Sequence, residues 1–179
     1  MERDIKKVLL SEEQIKNRIA ELGRELMEDY ADKNPIFVGV LKGVVVFYAD
    51  MIRAFPAPCQ LDFMWISSYQ GTHSSDMLVR QDVTADLKGR HVVILEDILD
   101  SGRSLQFTYQ HLLNKGAASV RICTLLDKPE GRKPGITIQA DYVGFTVPNE
   151  FLVGYGLDYN EKYRNLPYVG ILKPEVYEK

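Results

Sequence analysis

The chain has 179 residues, of which 45% are hydrophobic and 26% charged, as in a soluble globular protein with a sizeable core. A net charge of −3 excludes the basic surface typical of proteins that bind nucleic acid or anionic membranes. No apolar run is long enough to span a bilayer, and the N-terminal residues do not form a signal-peptide pattern. Cys59 and Cys123 lie in apolar surroundings without a CxxC pattern, so we expect reduced thiols and a cytoplasmic location.

The first predicted element is an amphipathic helix over residues 12–30. Apolar side chains recur there at helical spacing, and Ser11 with Gln14 three residues later matches a capping box. This pattern predicts a helix whose role is packing.

A buried strand is predicted over residues 36–41, because the segment is apolar throughout. Lys42 and Gly43 follow it, and residues 44–52 then form an apolar helical run. Lys42 is either a solvated surface lysine or a ligand-binding group, since the tight turn would lie at the carboxyl edge of a parallel sheet.

The next predicted strand covers residues 60–67 and leads into a polar, glycine-containing segment at 68–76. This segment, which begins with Ser68 and Tyr69, is either the tip of a hairpin or a loop that closes over a reaction and excludes water. Residues 79–83 are expected to form the returning arm.

The centre of the sequence is residues 92–105, VVILEDILDSGRSL. The apolar run predicts a buried strand that ends at Glu96 and Asp97, followed by a turn from Asp100 and a helix over 105–115. Carboxylates at that point could accept hydrogen bonds from a sugar diol, while the loop and the helix N-terminus hold a phosphate. The alternative is an acidic strand end with an ordinary serine N-cap.

Two further segments end at the same predicted edge of the sheet. The strand over 120–126 delivers Lys128, which is either an exposed loop cation or a group that binds a purine oxygen. Arg132, in a charged loop, is either a surface residue or directed toward a phosphate. In residues 151–168 glycines alternate with aromatic residues, which indicates either backbone close to a flat ligand or an aromatic edge of the core.

Residues 95–104, LEDILDSGRS, resemble the phosphoribosyl-diphosphate motif of the type I phosphoribosyltransferases. Serine stands at both positions where that motif has threonine, which keeps the hydroxyl groups. The run at 151–168 resembles the C-terminal signature of the hypoxanthine-guanine phosphoribosyltransferases. Four motifs follow one another in the family's order and spacing between residues 38 and 172, which is more specific than any one motif.

The pattern of elements and the resemblance predict an α/β fold with a mainly parallel, twisted sheet flanked by helices on both faces. The strands of this sheet are expected at 36–41, 91–96, 120–126 and 141–146. We expect one domain over 1–179, with a core at about 30–150, a small hood built from the N-terminal segment and residues 151–179, and a flexible loop.

The resemblance also implies a role for individual residues. Asp100 would be the general base or acid at purine N7, assisted by Ser68 and Tyr69 of the flexible loop. The ribose and 5′-phosphate would be bound by Glu96, Asp97, Ser101, Gly102, Arg103 and Ser104, and the pyrophosphate by Lys42, Gly43 and Arg164. The purine would contact Lys128, Phe151, Leu152 and Asp158, and Mg²⁺ would contact Glu96, Asp97 and Asp158. A non-trans peptide before Lys42 is a further implied feature.

The implied reaction is the Mg²⁺-dependent transfer of the phosphoribosyl group of phosphoribosyl diphosphate to N9 of hypoxanthine or guanine, in purine salvage. The family resemblance implies a homodimer or homotetramer. Two other classes stay open: a non-catalytic regulator that senses the same ligand, and a transferase for another base such as xanthine. A dinucleotide-binding protein is disfavoured, because no GxGxxG follows a predicted strand.

Overall fold

The structure is a computed structural model that describes residues 1–68 and 77–178. Its larger sheet has six strands: β2 (Ile36–Leu41), β3 (Gln60–Ser68), β4 (Met77–Gln81), β5 (His91–Leu99), β6 (Ser119–Asp127) and β7 (Tyr142–Thr146). Their order is β4-β3-β2-β5-β6-β7. All neighbours are parallel except β4, which pairs antiparallel with β3.

Helices cover both faces of this sheet, as the sequence predicts. They are α1 (Glu12–Tyr30), α2 (Val45–Arg53) and α3 (Arg103–Asn114). The short α4 (Pro174–Tyr177) packs instead against a separate cluster that includes Val153 and Leu172, and 3₁₀ turns lie at Glu2–Asp4 and Pro129–Gly131. Along β5, Val93 and Leu95 pack in one cluster with α1 and α2, while Val92 and Ile94 pack with α3. This alternation explains why β5 is apolar at successive positions. Within the described residues, no helix combines the length and apolar character that crossing a membrane requires.

A second, three-stranded antiparallel sheet joins the two ends of the chain. Its strands are β1 (Ile5–Leu10), β8 (Leu152–Val153) and β9 (Val169–Leu172), in the order β1-β9-β8. The segment before α1 thus pairs with the C-terminal run, while α1 itself packs on the larger sheet.

The predicted capping box of α1 is present. The Ser11 hydroxyl accepts a hydrogen bond from the Gln14 amide at 3.2 Å, and the Gln14 side chain accepts one from the Ser11 amide at 2.9 Å. The two bonds satisfy amide groups that the first turn of a helix leaves without partners.

The sequence places the end of β5 and the start of α3 incorrectly. β5 continues beyond Glu96 to Leu99, because Ile98 and Leu99 still pair with β6. The acidic pair therefore lies inside the strand. α3 begins at Arg103, with Gly102 as its N-cap residue at φ 80°, a conformation that glycine adopts without the steric cost of a Cβ atom. The alternative of an ordinary serine N-cap is therefore wrong for this helix.

The strand order positions the site. The chain proceeds from β2 to β3 on one side and returns to β5 on the other, so the connections leave β2 and β5 in opposite directions. In open α/β sheets, ligands bind at such a reversal, outside the carboxyl ends of the strands. Lys42 follows β2 and Asp100 follows β5, so both lie at this crevice.

Candidate active site

A cavity of about 430 Å³ lies at the carboxyl ends of the central strands. Eight of the residues that the sequence analysis assigned to a ligand line it: Gly43, Asp97, Asp100, Lys128, Phe151, Leu152, Asp158 and Arg164. Two further lining residues, Ile98 and Leu157, were not predicted. The carboxyl end of β5 and the loops after β2 and β6 thus meet the C-terminal run at one place.

Asp100 and Lys128 form an ion pair in this cavity. The Asp100 Oδ2 and Lys128 Nζ atoms are 2.9 Å apart, and the Lys128 side chain is only 12% exposed. Lys128 also donates to the Glu150 carbonyl at 3.4 Å. Lys128 is therefore a cavity residue, and the alternative of an exposed loop cation is wrong.

The two carboxyl groups at 96 and 97 have different environments. Glu96 is buried and does not line the cavity, whereas Asp97 does. Burial, followed by the negative charge of Asp97, holds the pKa of Glu96 well above its usual range. Asp97 packs against the loop after β2: a Cβ atom on Gly43 would be 2.1 Å from its Oδ2.

Arg164 brings positive charge to the other wall of the cavity. Its Nη1 donates to the Gly156 carbonyl at 2.8 Å, and its Nη2 lies 3.3 Å from carboxylate oxygens of both Asp158 and Glu161. Its buried Nε has no hydrogen-bond partner within residues 1–68 and 77–178. A ligand oxygen in the cavity would therefore meet a guanidinium that is oriented but incompletely paired.

Lys42 lies at the rim of the site. Its ammonium is 3.6 Å from the Glu161 carboxylate, and both side chains are exposed. The pKa of Glu161 is lowered, first by its hydrogen bond to Arg164 and then by the positive charges of Arg164 and Lys42. The peptide bond between Leu41 and Lys42 is cis, as the resemblance implies.

An aromatic wall closes the cavity at the C-terminal run. The Phe151 ring stacks on Tyr177 at a centroid distance of 4.7 Å and 24° between planes, and meets Tyr159 edge-on at 5.5 Å. Tyr177 was not predicted, because a single aromatic residue near the chain end carries no periodic pattern. Its contact with Phe151 fixes the orientation of a ring that lines the cavity.

The remaining predicted residues lie outside the lining of this cavity. Ser101, Gly102, Arg103 and Ser104 form the turn that opens α3, directly after Asp100. The Arg103 amide is 3.5 Å from the Ser101 hydroxyl. Ser68 is the exposed last residue of β3, and its predicted role stays a prediction. Tyr69 lies outside the described residues.

Arg132 is not the open surface residue of the first alternative. Its side chain is 20% exposed and its guanidinium binds main-chain carbonyls of Leu99, Asp100 and Lys128. No sequence pattern announces such bonds, because every residue has a carbonyl. Arg132 does not line this cavity, and its direction toward a phosphate stays a prediction.

The acidic residues of the cavity are suited to a metal ion that is bound together with phosphate. Among the residues described, no three His, Cys, Asp or Glu side chains cluster as a metal site by themselves. Asp97 and Asp158 nevertheless bring carboxylates to the cavity. Mg²⁺ is commonly held by one or two carboxylates plus substrate phosphates and waters. This donor set fits Mg²⁺ bound with a diphosphate.

A family model, two curated relatives and a solved structure that match this chain are all named as phosphoribosyltransferases. The family model described as the phosphoribosyl transferase domain matches residues 7–160. The hypoxanthine-guanine phosphoribosyltransferase of Streptococcus pneumoniae (strain R6) is 54% identical, over 99% of this chain and 98% of that protein. The enzyme of the same name from Streptococcus thermophilus (strain CNRZ 1066) is 50% identical, over 100% and 99%. The crystal structure of a hypoxanthine phosphoribosyltransferase from Staphylococcus aureus superposes with a TM-score of 0.95 at 46% identity, covering 100% of this chain and 97% of that one.

Proposed function

This chain belongs to the phosphoribosyl transferase family, and we propose that it transfers the 5-phosphoribosyl group of phosphoribosyl diphosphate to N9 of hypoxanthine or guanine. The products are IMP or GMP and pyrophosphate, a reaction of purine salvage. The observation that carries the proposal is the Asp100–Lys128 ion pair in a cavity with the aromatic ring of Phe151. The curated relatives named for this activity align over almost the whole chain.

Recognition of the base follows from the chemistry of this pair. O6 of an oxopurine is an acceptor. The neighbouring N7 carries the proton in the form of the free base whose N9 can attack. Lys128 donates to O6, and it cannot accept from the 6-amino group of adenine. Asp100 faces N7, where it takes or supplies the proton that the base exchanges as N9 forms its bond. Phe151 supplies a flat apolar surface for the ring.

The ion pair must open when the base enters. In the structure, the Asp100 carboxylate and the Lys128 ammonium pair with each other at 2.9 Å. A bound purine would replace this one contact with two, between Asp100 and N7 and between Lys128 and O6. A carboxylate placed in this way to move a proton typically contributes roughly 10²–10⁴-fold in rate. Because both groups are held at the ends of neighbouring strands, little reorganisation accompanies the reaction.

Phosphoribosyl diphosphate would occupy the adjoining part of the crevice. The turn at 101–104 and the N-terminus of α3 offer amide and hydroxyl donors to the 5′-phosphate. Asp97, with Glu96 beside it in the strand, would accept hydrogen bonds from the ribose diol. Lys42, Gly43 and Arg164 would bind the pyrophosphate, and the incompletely paired guanidinium of Arg164 supports that assignment.

Asp97 and Asp158 would hold Mg²⁺. Glu96, which does not line the cavity, would influence the ion indirectly, through its neighbour Asp97. When bound, the ion supplies neutralisation of charge on the leaving pyrophosphate. The transition state of such a transfer is oxocarbenium-like, so the residues of the chain act by positioning the two substrates and excluding water.

We also propose a cytoplasmic homodimer or homotetramer. Cys59 and Cys123 are both free thiols, which is usual in a reducing compartment. Large apolar side chains are exposed at Val45 on α2 and at Leu61 and Trp65 on β3, each more than 40% accessible. Such residues favour contact between subunits. The molar mass measured by light scattering tests the assembly, and a monomer at micromolar concentration would contradict it.

The test of function is a Mg²⁺-dependent assay with phosphoribosyl diphosphate and each of hypoxanthine, guanine, xanthine and adenine. We expect turnover of hypoxanthine and guanine and none of adenine. Asp100→Asn keeps the shape of the side chain and removes the base, so kcat should fall by about 10²–10⁴-fold. Asp32→Asn, at an exposed position outside the cavity lining, is the matched control and should keep wild-type activity.

Two outcomes would contradict the proposal. Binding of phosphoribosyl diphosphate without turnover of any base would indicate a sensor of that ligand. Turnover that is equal in wild type and Asp100→Asn would mean that another group exchanges the proton at N7.

A further inference from the structure

Arg132 lies where the ends of β5 and β6 separate. Its Nη1 is within hydrogen-bond distance of three main-chain carbonyl oxygens, those of Leu99 (2.8 Å), Asp100 (3.0 Å) and Lys128 (3.0 Å). Two of these carbonyls belong to the residues that form the ion pair of the cavity, and the third precedes one of them in the chain. A single guanidinium therefore binds the main chain on both sides of that pair.

A carboxylate anchors the guanidinium. Arg132 Nη2 donates to Oδ1 of Asp127, and both side chains are about four-fifths buried. Asp127 is the last residue of β6 and pairs with Leu99, the last residue of β5. Beyond this point the described residues show two direct main-chain bonds between the two segments, from the Lys128 amide to the Leu99 carbonyl at 3.0 Å and from the Lys133 amide to the Ser101 carbonyl at 3.2 Å.

We propose that Arg132 is a positioning residue, which sets the separation of the Asp100 carboxylate and the Lys128 ammonium for two neighbouring atoms of one base. This inference rests on the proposed function above. The Leu99 and Lys128 carbonyls also accept hydrogen bonds from main-chain amides, those of Lys128 and Gly131, each at 3.0 Å. Arg132 joins these two carbonyls to that of Asp100 through one nitrogen atom, and in this way it orients the main chain that carries both side chains.

The packing around Asp100 supports this role. A Cβ atom on Gly131 would be 1.8 Å from Asp100 Oδ1, so the carboxylate lies against the main chain of the residue before Arg132. Its other oxygen, Oδ2, meets Lys128. The carboxylate thus has one oxygen against Gly131 and the other paired with Lys128. Arg132 binds the turn that carries both of these residues to the ends of the strands.

The choice of an arginine can be tested by Arg132→Lys. The guanidinium is a planar group with donors in a rigid fork, whereas an ammonium is a compact point charge. Lysine keeps the positive charge beside Asp127 but cannot bind the three carbonyls and the carboxylate in one geometry. If only the charge mattered, lysine would restore function.

The chain offers a matched control in Arg18. Its side chain is 22% exposed, donates to the carbonyls of Val143 and Gly144 at 2.7 and 2.9 Å, and pairs with Glu21 and Glu25. It fastens α1 to β7 and does not line the cavity. Arg18→Lys therefore removes a similar set of bonds at a place without a catalytic role.

We expect Arg132→Lys and Arg18→Lys to lower the melting temperature by similar amounts. Only Arg132→Lys should lower kcat with hypoxanthine, by about 10²-fold, the usual cost of misplacing a reacting group by about 1 Å. The KM for phosphoribosyl diphosphate should stay within about twofold of wild type, because the binding of that substrate does not depend on the Asp100–Lys128 separation.

The kinetic results distinguish a failure of the positioning role from a failure of the proposed function. A wild-type protein that turns over no oxopurine would overturn the proposed function. An active wild type with Arg132→Lys equal to Arg18→Lys in kcat would overturn the positioning role alone. Should Arg132→Lys fail to fold, Asp127→Asn replaces it: this variant keeps the carbonyl bonds but weakens their anchor, and kcat should fall by about tenfold. Unchanged kcat in a folded Asp127→Asn protein would overturn the inference.

Discussion

Substitution of Gly43 should lower the catalytic rate much more than it lowers the free energy of unfolding, because it displaces a group of the site and leaves the core unchanged. In Gly43→Ala the new Cβ would be 2.1 Å from Asp97 Oδ2 and 3.6 Å from Arg164 Nη1. It would also be 3.1 Å from Asp97 Cγ, so the close contacts are both with the Asp97 carboxyl group, at the far end of a side chain. The Asp97 oxygen must move by roughly 1.3 Å to reach the 3.4 Å of ordinary van der Waals contact.

The two consequences of this movement differ in size. A side chain that leaves its preferred rotamer costs about 0.5–1.5 kcal/mol, which lowers the melting temperature of a chain of this length by roughly 2–4 °C per kcal/mol. A displacement of about 1 Å in a group that contacts the ribose or the metal costs roughly 10²-fold in rate, equivalent to about 2.7 kcal/mol of transition-state stabilisation. We therefore expect a folded protein with kcat/KM reduced by about 10²-fold.

Gly89→Ala provides the control for stability. Gly89 has φ +70°, with no other atom within 4 Å of the position of its Cβ, so the substitution costs only backbone strain of about 1–2 kcal/mol. The two variants should be destabilised to a similar degree in thermal unfolding, while only Gly43→Ala loses activity in the coupled assay for IMP. Wild-type kcat/KM in Gly43→Ala would refute the argument, because Asp97 could then move without affecting the reaction.

Two further predictions concern the aromatic wall and the buried carboxyl group. Tyr177→Ala removes the ring stacked on Phe151, a contact of about 0.5–1.5 kcal/mol, and should raise the KM for hypoxanthine by roughly two- to twelvefold. An unchanged KM would show that Phe151 is oriented without Tyr177. Because the pKa of Glu96 is raised by folding, the folded state binds its proton more tightly and loses stability as pH rises above about 4.3. Glu96→Gln removes this titration, so in metal-free buffer its melting temperature relative to wild type should increase from about pH 4 to about pH 8; a constant difference would contradict the raised pKa.

The sequence was most informative where side-chain pattern and burial coincide. The strands at 36–41 and 120–126 were predicted within a residue or so, because apolar side chains on both faces leave few other structures for such a segment. The neighbourhood of Gly43, Asp100 and Lys128 was also predictable. Each follows a parallel strand or ends it, and parallel strands bring their carboxyl ends to one edge of the sheet.

The sequence was least informative where a contact uses the main chain. The extension of β5 to Leu99 depends on pairing with β6, which a polar residue pair inside the strand conceals. The role of Arg132 depends on carbonyls up to 33 positions away in the chain. Glycine at 43 and 131 could be seen in the sequence, but the carboxylate that each must approach could not.

The contacts that could not be predicted from the sequence share one physical cause, which is the opening of the cavity. The ladder between β5 and β6 ends at Leu99 and Asp127, and the cavity lies beyond that point. If the base binds at Asp100 and Lys128, as we propose, a donor outside the ladder is needed to hold their main chains in place. In this chain the donor is Arg132, and its replacement should affect catalysis more than folding, because the core of the sheet is complete before the strands separate.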